Sequence, residues 1–252
     1  MSIQNISAVV LAKNNEATIK NTLEALREFD DVIVYDNGST DKTMEIAKEF
    51  PNVNLIQGEF KGFGWTKNKA ASYAKHDWIL IVDSDEVVDA QLLETLQTKK
   101  LDENTVYILN FRAFYKDIEV KHCGWNNQKI KRLYNKKITH YNDNDVHEDI
   151  ITKGLKTELL VGNMLHYSYQ SIEQFVNKAN TYSTLFAKNN AGKKNSSPAK
   201  AFFNGAYSFI KTYFFKQGFR DGYVGLVIAY SHMVTNFYKY IKLYELNKEL
   251  TK

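Results

Sequence analysis

The stretch Trp78-Ile79-Leu80-Ile81-Val82-Asp83-Ser84-Asp85-Glu86 decides the fold. An uninterrupted apolar run of this length, closed at once by carboxylates, reads as a buried strand and its exit. Strand side chains alternate with a period of two, so Asp83 and Asp85 leave on the same side. Two acidic groups so placed repel each other unless a positive charge sits between them. A divalent metal holding a diphosphate supplies that charge, because hard cations prefer carboxylate oxygens and keep positions open for phosphate. The plainer alternative is a strand-to-helix turn in which Asp83 or Asp85 caps the next helix. The order of the surrounding elements favours the first reading.

Upstream, strand-like and helix-like patterns alternate. Ser7–Leu11 is a short apolar strand, and Asn15–Phe29 follows with Ile19, Leu23 and Leu26 at helical spacing. Asp31–Tyr35 is a second strand, ended by the turn signal Asp36-Asn37-Gly38; Ser39 or Thr40 can then cap a helix that Pro51 closes. Val53–Ile56, Lys67–Ala74, Trp78–Val82 and Asp89–Thr98 continue the series as strand, helix, strand and helix. This predicts an α/β fold with a mostly parallel, doubly wound sheet, whose ligands bind beyond the carboxyl ends of the strands. Asp36 and Asp83 both fall at such ends. Beyond Val106 the strands shorten (Val106–Phe111, Phe114–Val120, Ile130–Tyr134), which predicts a mixed sheet extension and an acceptor-side lobe. Glu173–Lys188 is a helix. Lys193–Ser197 before Pro198 is the best linker, and two further helices follow, about 201–217 and 223–246.

The 252 residues suffice for one large core with a smaller appendage, and 44% apolar with 25% charged residues describes a folded chain. The single Cys123 excludes an internal disulfide framework. No signal peptide is visible ahead of the first strand, which leads us to expect a cytoplasmic protein. Net charge is +4, yet residues 188–252 carry eleven Lys/Arg against three Asp/Glu, and residues 201–244 hold fourteen Phe or Tyr. A basic, aromatic tail suits a membrane surface or nucleic acid. No nucleic-acid module accompanies the charge, so no nucleic-acid partner is expected.

Neither a Gly-x-Gly-x-x-Gly after the first strand nor a phosphate loop of the Walker type is present; Lys67 stands where the third glycine after Gly62 and Gly64 would be. The stretches Ala8–Glu16, Val34–Asp41, Gly62–Asn68 and Leu80–Glu86 together resemble the family 2 inverting glycosyltransferases of GT-A fold. His122–Trp125, Arg132–Tyr134, Val146–Glu148 and Gly218–Gly222 are similar to one branch of them, the bacterial β-glucosyltransferases of the lipopolysaccharide inner core.

The resemblance implies roles. Asp36 would contact the uracil or ribose of a UDP-sugar donor, Ala12 and Glu16 would line the base pocket, and Lys67 and Asn68 would sit near the donor. Asp83 would take the ribose or sugar side, and Asp85 would ligate Mn²⁺ or Mg²⁺. Bland alternatives stand beside these: a tight turn closed by its own side chain for Asp36, and a solvated helix lysine for Lys67. Glu148 matches the family's catalytic base, with His147 its rival. His166 is either an extra metal ligand or a hydrogen-bonded residue near a strand end, and Trp125 either stacks on a sugar or packs in the core. The resemblance implies transfer of a hexose, glucose from UDP-glucose, to a lipopolysaccharide core acceptor by a single inverting displacement. The alternatives are another UDP-sugar, a capsule or lipid-linked glycan acceptor, or a non-catalytic sugar-nucleotide-binding scaffold on the membrane.

The expected organisation is a glycosyltransferase domain over 1–190, with a nucleotide-sugar half (1–100) and an acceptor half (101–190). A helical segment over 198–252 would follow, lying on the inner face of the cell membrane or pairing two subunits. Phe202, Ala206, Phe209 and Tyr213 share one face of it, and Lys200, Lys211, Lys216, Lys239 and Lys242 add positive charge.

Overall fold

The computed structural model describes residues 3–143 and 148–250. These divide into two compact units, one formed by residues 3–111 with 127–143 and 148–166, and the other by residues 112–126 with 167–250.

The first unit is built on β1 (Ile6–Ala12), β2 (Val32–Asp36), β3 (Val53–Gln57) and β4 (Trp78–Asp83). These four pair in parallel in the order β3-β2-β1-β4. Helices α1 (Ile19–Ala25), α2 (Thr43–Lys48) and α3 (Phe63–Ala71) supply the crossovers that parallel pairing requires. β1, β2 and β4 are buried on both faces, which is why they read as unbroken apolar runs. One face carries Ala8, Val10, Leu80 and Val82 against Leu23, Leu26 and Phe29; the other carries Val9, Ile33, Ile79 and Ile81 against Ala70 and Ala71.

Beyond β4 the sheet turns antiparallel. β5 (Glu86–Val88) leads into α4 (Ala90–Thr98), whose N-cap Asp89 accepts from the Leu92 amide. β6 (Thr105–Tyr115), β8 (Gln128–Asn135) and β9 (Lys156–Tyr169) complete the order β4-β8-β6-β9-β5. The α/β expectation therefore holds, with parallel pairing confined to the first four strands and the mixed extension where the shorter strands begin.

Several local readings change. Ser39 and Thr40 do not cap α2: Lys42 occupies that position, and the Ser39 hydroxyl turns back to Asp36. Phe114–Val120 is not one strand, because Lys116 at φ 50 reverses the chain between β6 and β7 (Ile118–Val120). β9 escaped the sequence reading because only Leu160 and Met164 along it are buried, so it lacks an apolar alternation.

In the second unit, α5 (Ile172–Asn190), α6 (Pro198–Ile210) and α7 (Gly222–Leu250) pack around Tyr115, Val120, Cys123, Phe175, Val224 and Ile228. Ser171 and Ser197 cap α5 and α6 through their side chains. These units differ from a boundary after residue 190. Lys242 of α7 donates to the Asn180 carbonyl and to the Ser183 and Thr184 hydroxyls of α5, and Phe186 meets Tyr240 edge to face. Side-chain bonding of that density joins α5 to the C-terminal helices. Among the described residues, no helix is long and apolar enough to cross a membrane.

Candidate active site

The ends of β1, β2 and β4 lie side by side in register, Ala12 beside Asp36 and Leu11 beside Asp83. Past these ends opens a pocket of ≈ 410 Å³ lined by Leu11, Ala12, Lys13, Asn15, Asn37, Phe60, Phe63, Asp83, Ser84 and Asp85. That is where a parallel sheet offers a ligand both backbone groups and strand-end side chains. Of the residues singled out in the sequence, Ala12, Asp83 and Asp85 line it.

Asp36 is fully buried, and both of its oxygens are used. Oδ2 accepts from the Gly38 and Ser39 amides at 3.0 Å, and Oδ1 accepts from the Ser39 hydroxyl. These are the bonds of a tight turn closed by its own side chain, and the neighbouring Asn37 lines the pocket. Glu16 is not brought to the pocket lining: its carboxylate accepts from the Lys42 amide at 3.1 Å, fastening the β1–α1 loop to the start of α2.

Lys67 is buried rather than solvated. Its Nζ donates to Glu148 Oε1 at 2.6 Å and lies 5.1 Å from the Tyr141 ring and 5.9 Å from that of Phe63, a pocket residue. Asn68 forms a two-way clasp on the backbone of Tyr141, donating to its carbonyl and accepting from its amide. Both α3 residues thus bond Tyr141 and Glu148, and neither is among the residues lining the strand-end pocket. His147 lies outside the described residues.

Arg132 of β8, which the sequence reading did not single out as a site residue, is the central cation of the acidic cluster. One guanidinium nitrogen, Nη2, donates to Asp83 Oδ2 and to Glu86 Oε1, both at 2.7 Å, and Glu86 Oε2 accepts from the Asp83 amide. Burial disfavours the charge on Asp83, but Arg132 and Lys67 outweigh it and hold that carboxyl well below the usual carboxylate range. Glu86 goes the other way: burial, joined by the negative Asp83, overcomes Arg132 and pushes it up to about 8. The repulsion within the cluster is thus relieved by an internal cation, Arg132, set between the two carboxyl groups.

Asp85 has a different partner. Its Oδ2 lies 3.5 Å from His166 Nε2, and although burial opposes protonation of the imidazole, Asp85, Glu86 and Asp83 raise its pKa. No group of three or more His, Cys, Asp or Glu among the described residues is arranged to hold a metal. A carboxylate and an imidazole facing each other, the carboxylate on the pocket wall, are nonetheless donors of the kinds a divalent cation takes.

In the second unit, Asp221 gathers the other two sequence motifs. Its carboxylate accepts from the amides of Lys121 and His122 and lies 2.7 Å from His122 Nδ1, clamping His122–Trp125 onto Gly218–Gly222. Trp125 stacks on Tyr169 and Phe175, the packing role. Burial pushes the Cys123 thiol up to about 12, which makes it inert.

A model of glycosyl transferase family 2 matches residues 7–155. An uncharacterized glycosyltransferase of Rickettsia typhi is 31% identical over 97% of this chain and 88% of its own length. The lipopolysaccharide core biosynthesis glycosyltransferase LpsC of Rhizobium meliloti is 23% identical over 95% of this chain and 92% of its own. Among solved structures, S. aureus TarS aligns with a TM-score of 0.48 at 16% identity, covering 87% of this chain and 45% of that one. With the family match spanning more than half of the sequence and a relative of that identity spanning nearly all of it, the chain belongs to glycosyl transferase family 2, and its chemistry is glycosyl transfer.

Proposed function

We propose that this enzyme transfers a hexose, glucose from UDP-glucose, to a lipopolysaccharide core acceptor in a single inverting displacement. The observation that carries the reading is the strand-end pocket with Asp83 and Asp85 on its wall. The LpsC relative supports the acceptor class, because the likeness extends over nearly the whole of both chains.

Donor binding falls to the ends of β1, β2 and β4, with Ala12 and Asn37 lining the pocket and Asp83, held by Arg132, serving the ribose or sugar. Asp85 and His166 are the side chains that would hold Mn²⁺ or Mg²⁺, which neutralises the charge of a departing diphosphate. Glu148 is the base: Lys67 occupies Oε1, which leaves Oε2 to accept the acceptor hydroxyl proton as the new glycosidic bond forms and the bond to the diphosphate oxygen breaks. The exposed aromatic and basic residues of 200–223 suit docking on the inner membrane surface, where a lipid-anchored acceptor resides.

The test is UDP release from UDP-glucose, UDP-galactose and UDP-N-acetylglucosamine with Mn²⁺ and a deacylated core acceptor. UDP-glucose should be turned over, chelation should stop the reaction, and added Mn²⁺ should restore it. Absence of turnover with every donor and acceptor offered would reject catalysis and leave the scaffold reading. Asp85→Asn should abolish Mn²⁺-dependent release, and an unchanged rate would move the cation elsewhere.

A further inference from the structure

Between α5 and α7 the second unit carries a groove of ≈ 400 Å³ that the chemistry above does not use. Its walls include Phe175, Val176, Ala179, Val227 and Val234, and Ser231 with the Tyr230 hydroxyl are the only side-chain polar groups among its lining residues. A polar ligand would therefore lose its hydration for almost nothing in return. The size is at the small end of ligand sites and suits one slender apolar body.

Exposed apolar side chains are frequent elsewhere in the same unit. Leu226 and Tyr230 line the groove and are themselves exposed, and Phe202, Phe203, Tyr207, Phe214, Phe215 and Phe219 extend the exposure along the chain. Exposed apolar area of this extent marks a docking face. Charge selects the occupant. Lys200, Lys211, Lys216 and Arg220 are exposed among these aromatics, whereas Asp221, the sole acid between 198 and 244, is engaged by His122 and two backbone amides. A second copy of the chain meeting this face about a two-fold axis would set cations against cations. An anionic bilayer gains from the same charges.

We propose that the α5–α7 groove takes one acyl chain of an anionic bilayer phospholipid, anchoring the enzyme beyond surface adsorption. This rests on the membrane docking given under the proposed function. Trp125 provides the reporter, since its ring stacks 6.1 Å from that of Phe175, a groove residue, while Trp65 and Trp78 belong to the other unit.

The full-length protein is mixed with phosphatidylglycerol vesicles whose acyl chains are brominated, and the quenching of tryptophan fluorescence is read alongside co-sedimentation. A Trp125→Phe variant isolates the Trp125 signal. Quenching of Trp125 is expected, and Ala179→Leu and Ser231→Leu, which fill the groove from opposite helices, should each lower it by about twofold or more while co-sedimentation persists. Circular dichroism selects whichever filled variant keeps its fold. Undiminished quenching in a folded, vesicle-bound filled variant overturns the acyl site and leaves the docking intact. No co-sedimentation of the unaltered protein overturns both. A dimer in sedimentation velocity that the filled variants dissociate would assign the groove to self-association and likewise overturn the proposal.

Discussion

Lys67 and Glu148 form a largely buried ion pair, joined at 2.6 Å with the lysine side chain 5% and the glutamate 18% exposed. A buried ion pair adds little over an apolar replacement of both partners, yet removing one partner strands a charge without water. Lys67→Met should therefore destabilise the fold by about 3 kcal/mol, read from urea unfolding, and the double variant Lys67→Met/Glu148→Gln should recover much of that loss. Strict additivity of the two single effects would show that the pair is not coupled. Catalysis separates them differently. Glu148→Gln should keep UDP binding while transfer falls by about 10²–10⁴-fold, the usual contribution of a general base; full activity would shift the role to His147. Arg132→Ala leaves Asp83 and Glu86 facing each other with no cation between them, and a loss of about 3 kcal/mol or more in the same measurement is expected.

Among the elements, α7 carries the clearest pH signature. His232 hydrogen-bonds Thr212 at 3.0 Å beside Trp125, and burial, with Lys216 and Lys239 adding repulsion, pulls its pKa down to about 4. The unfolded chain then binds a proton that the folded chain refuses between that value and an ordinary histidine pKa. Stability must rise with pH across this window and fall as the solution is acidified through it, by about 2 kcal/mol from this residue. His232→Gln should flatten the acid limb of a urea midpoint against pH between 4 and 6.5; an unchanged slope would remove His232 as its source. Elements such as β4 were legible because burial on both faces writes an unbroken apolar run. β9 was not, since water reaches most of its side chains. Sequence distance hid the partnerships: Arg132 with Asp83 and Glu86, Lys67 with Glu148, and His122 with Asp221 each join remote stretches that no local pattern couples. Asp36 is the local case, since the turn its side chain closes lies within three residues of it and could be read from the sequence.

Across the whole molecule, charge and exposed aromatic surface are concentrated in the second unit. Residues 188–252 carry eleven Lys/Arg against three Asp/Glu, and Phe215 is 74% exposed. Truncating the chain just before Pro198, which removes α6 and α7, would be a poor probe of membrane docking, because it strips α5 of the Lys242 bonds and of the α7 surface that packs on it. Phe214→Ser/Phe215→Ser is the better one: both rings are exposed, so stability should change by about 0.5 kcal/mol or less. Co-sedimentation with anionic vesicles should nonetheless fall by about tenfold or more, as two aromatic anchors are lost from the interface. Raising salt should weaken the binding of the unaltered protein further, since each lysine near the surface contributes about 1 kcal/mol that ionic strength screens. Equal binding by the double variant, or binding indifferent to salt, would take this face off the membrane and return it to protein packing.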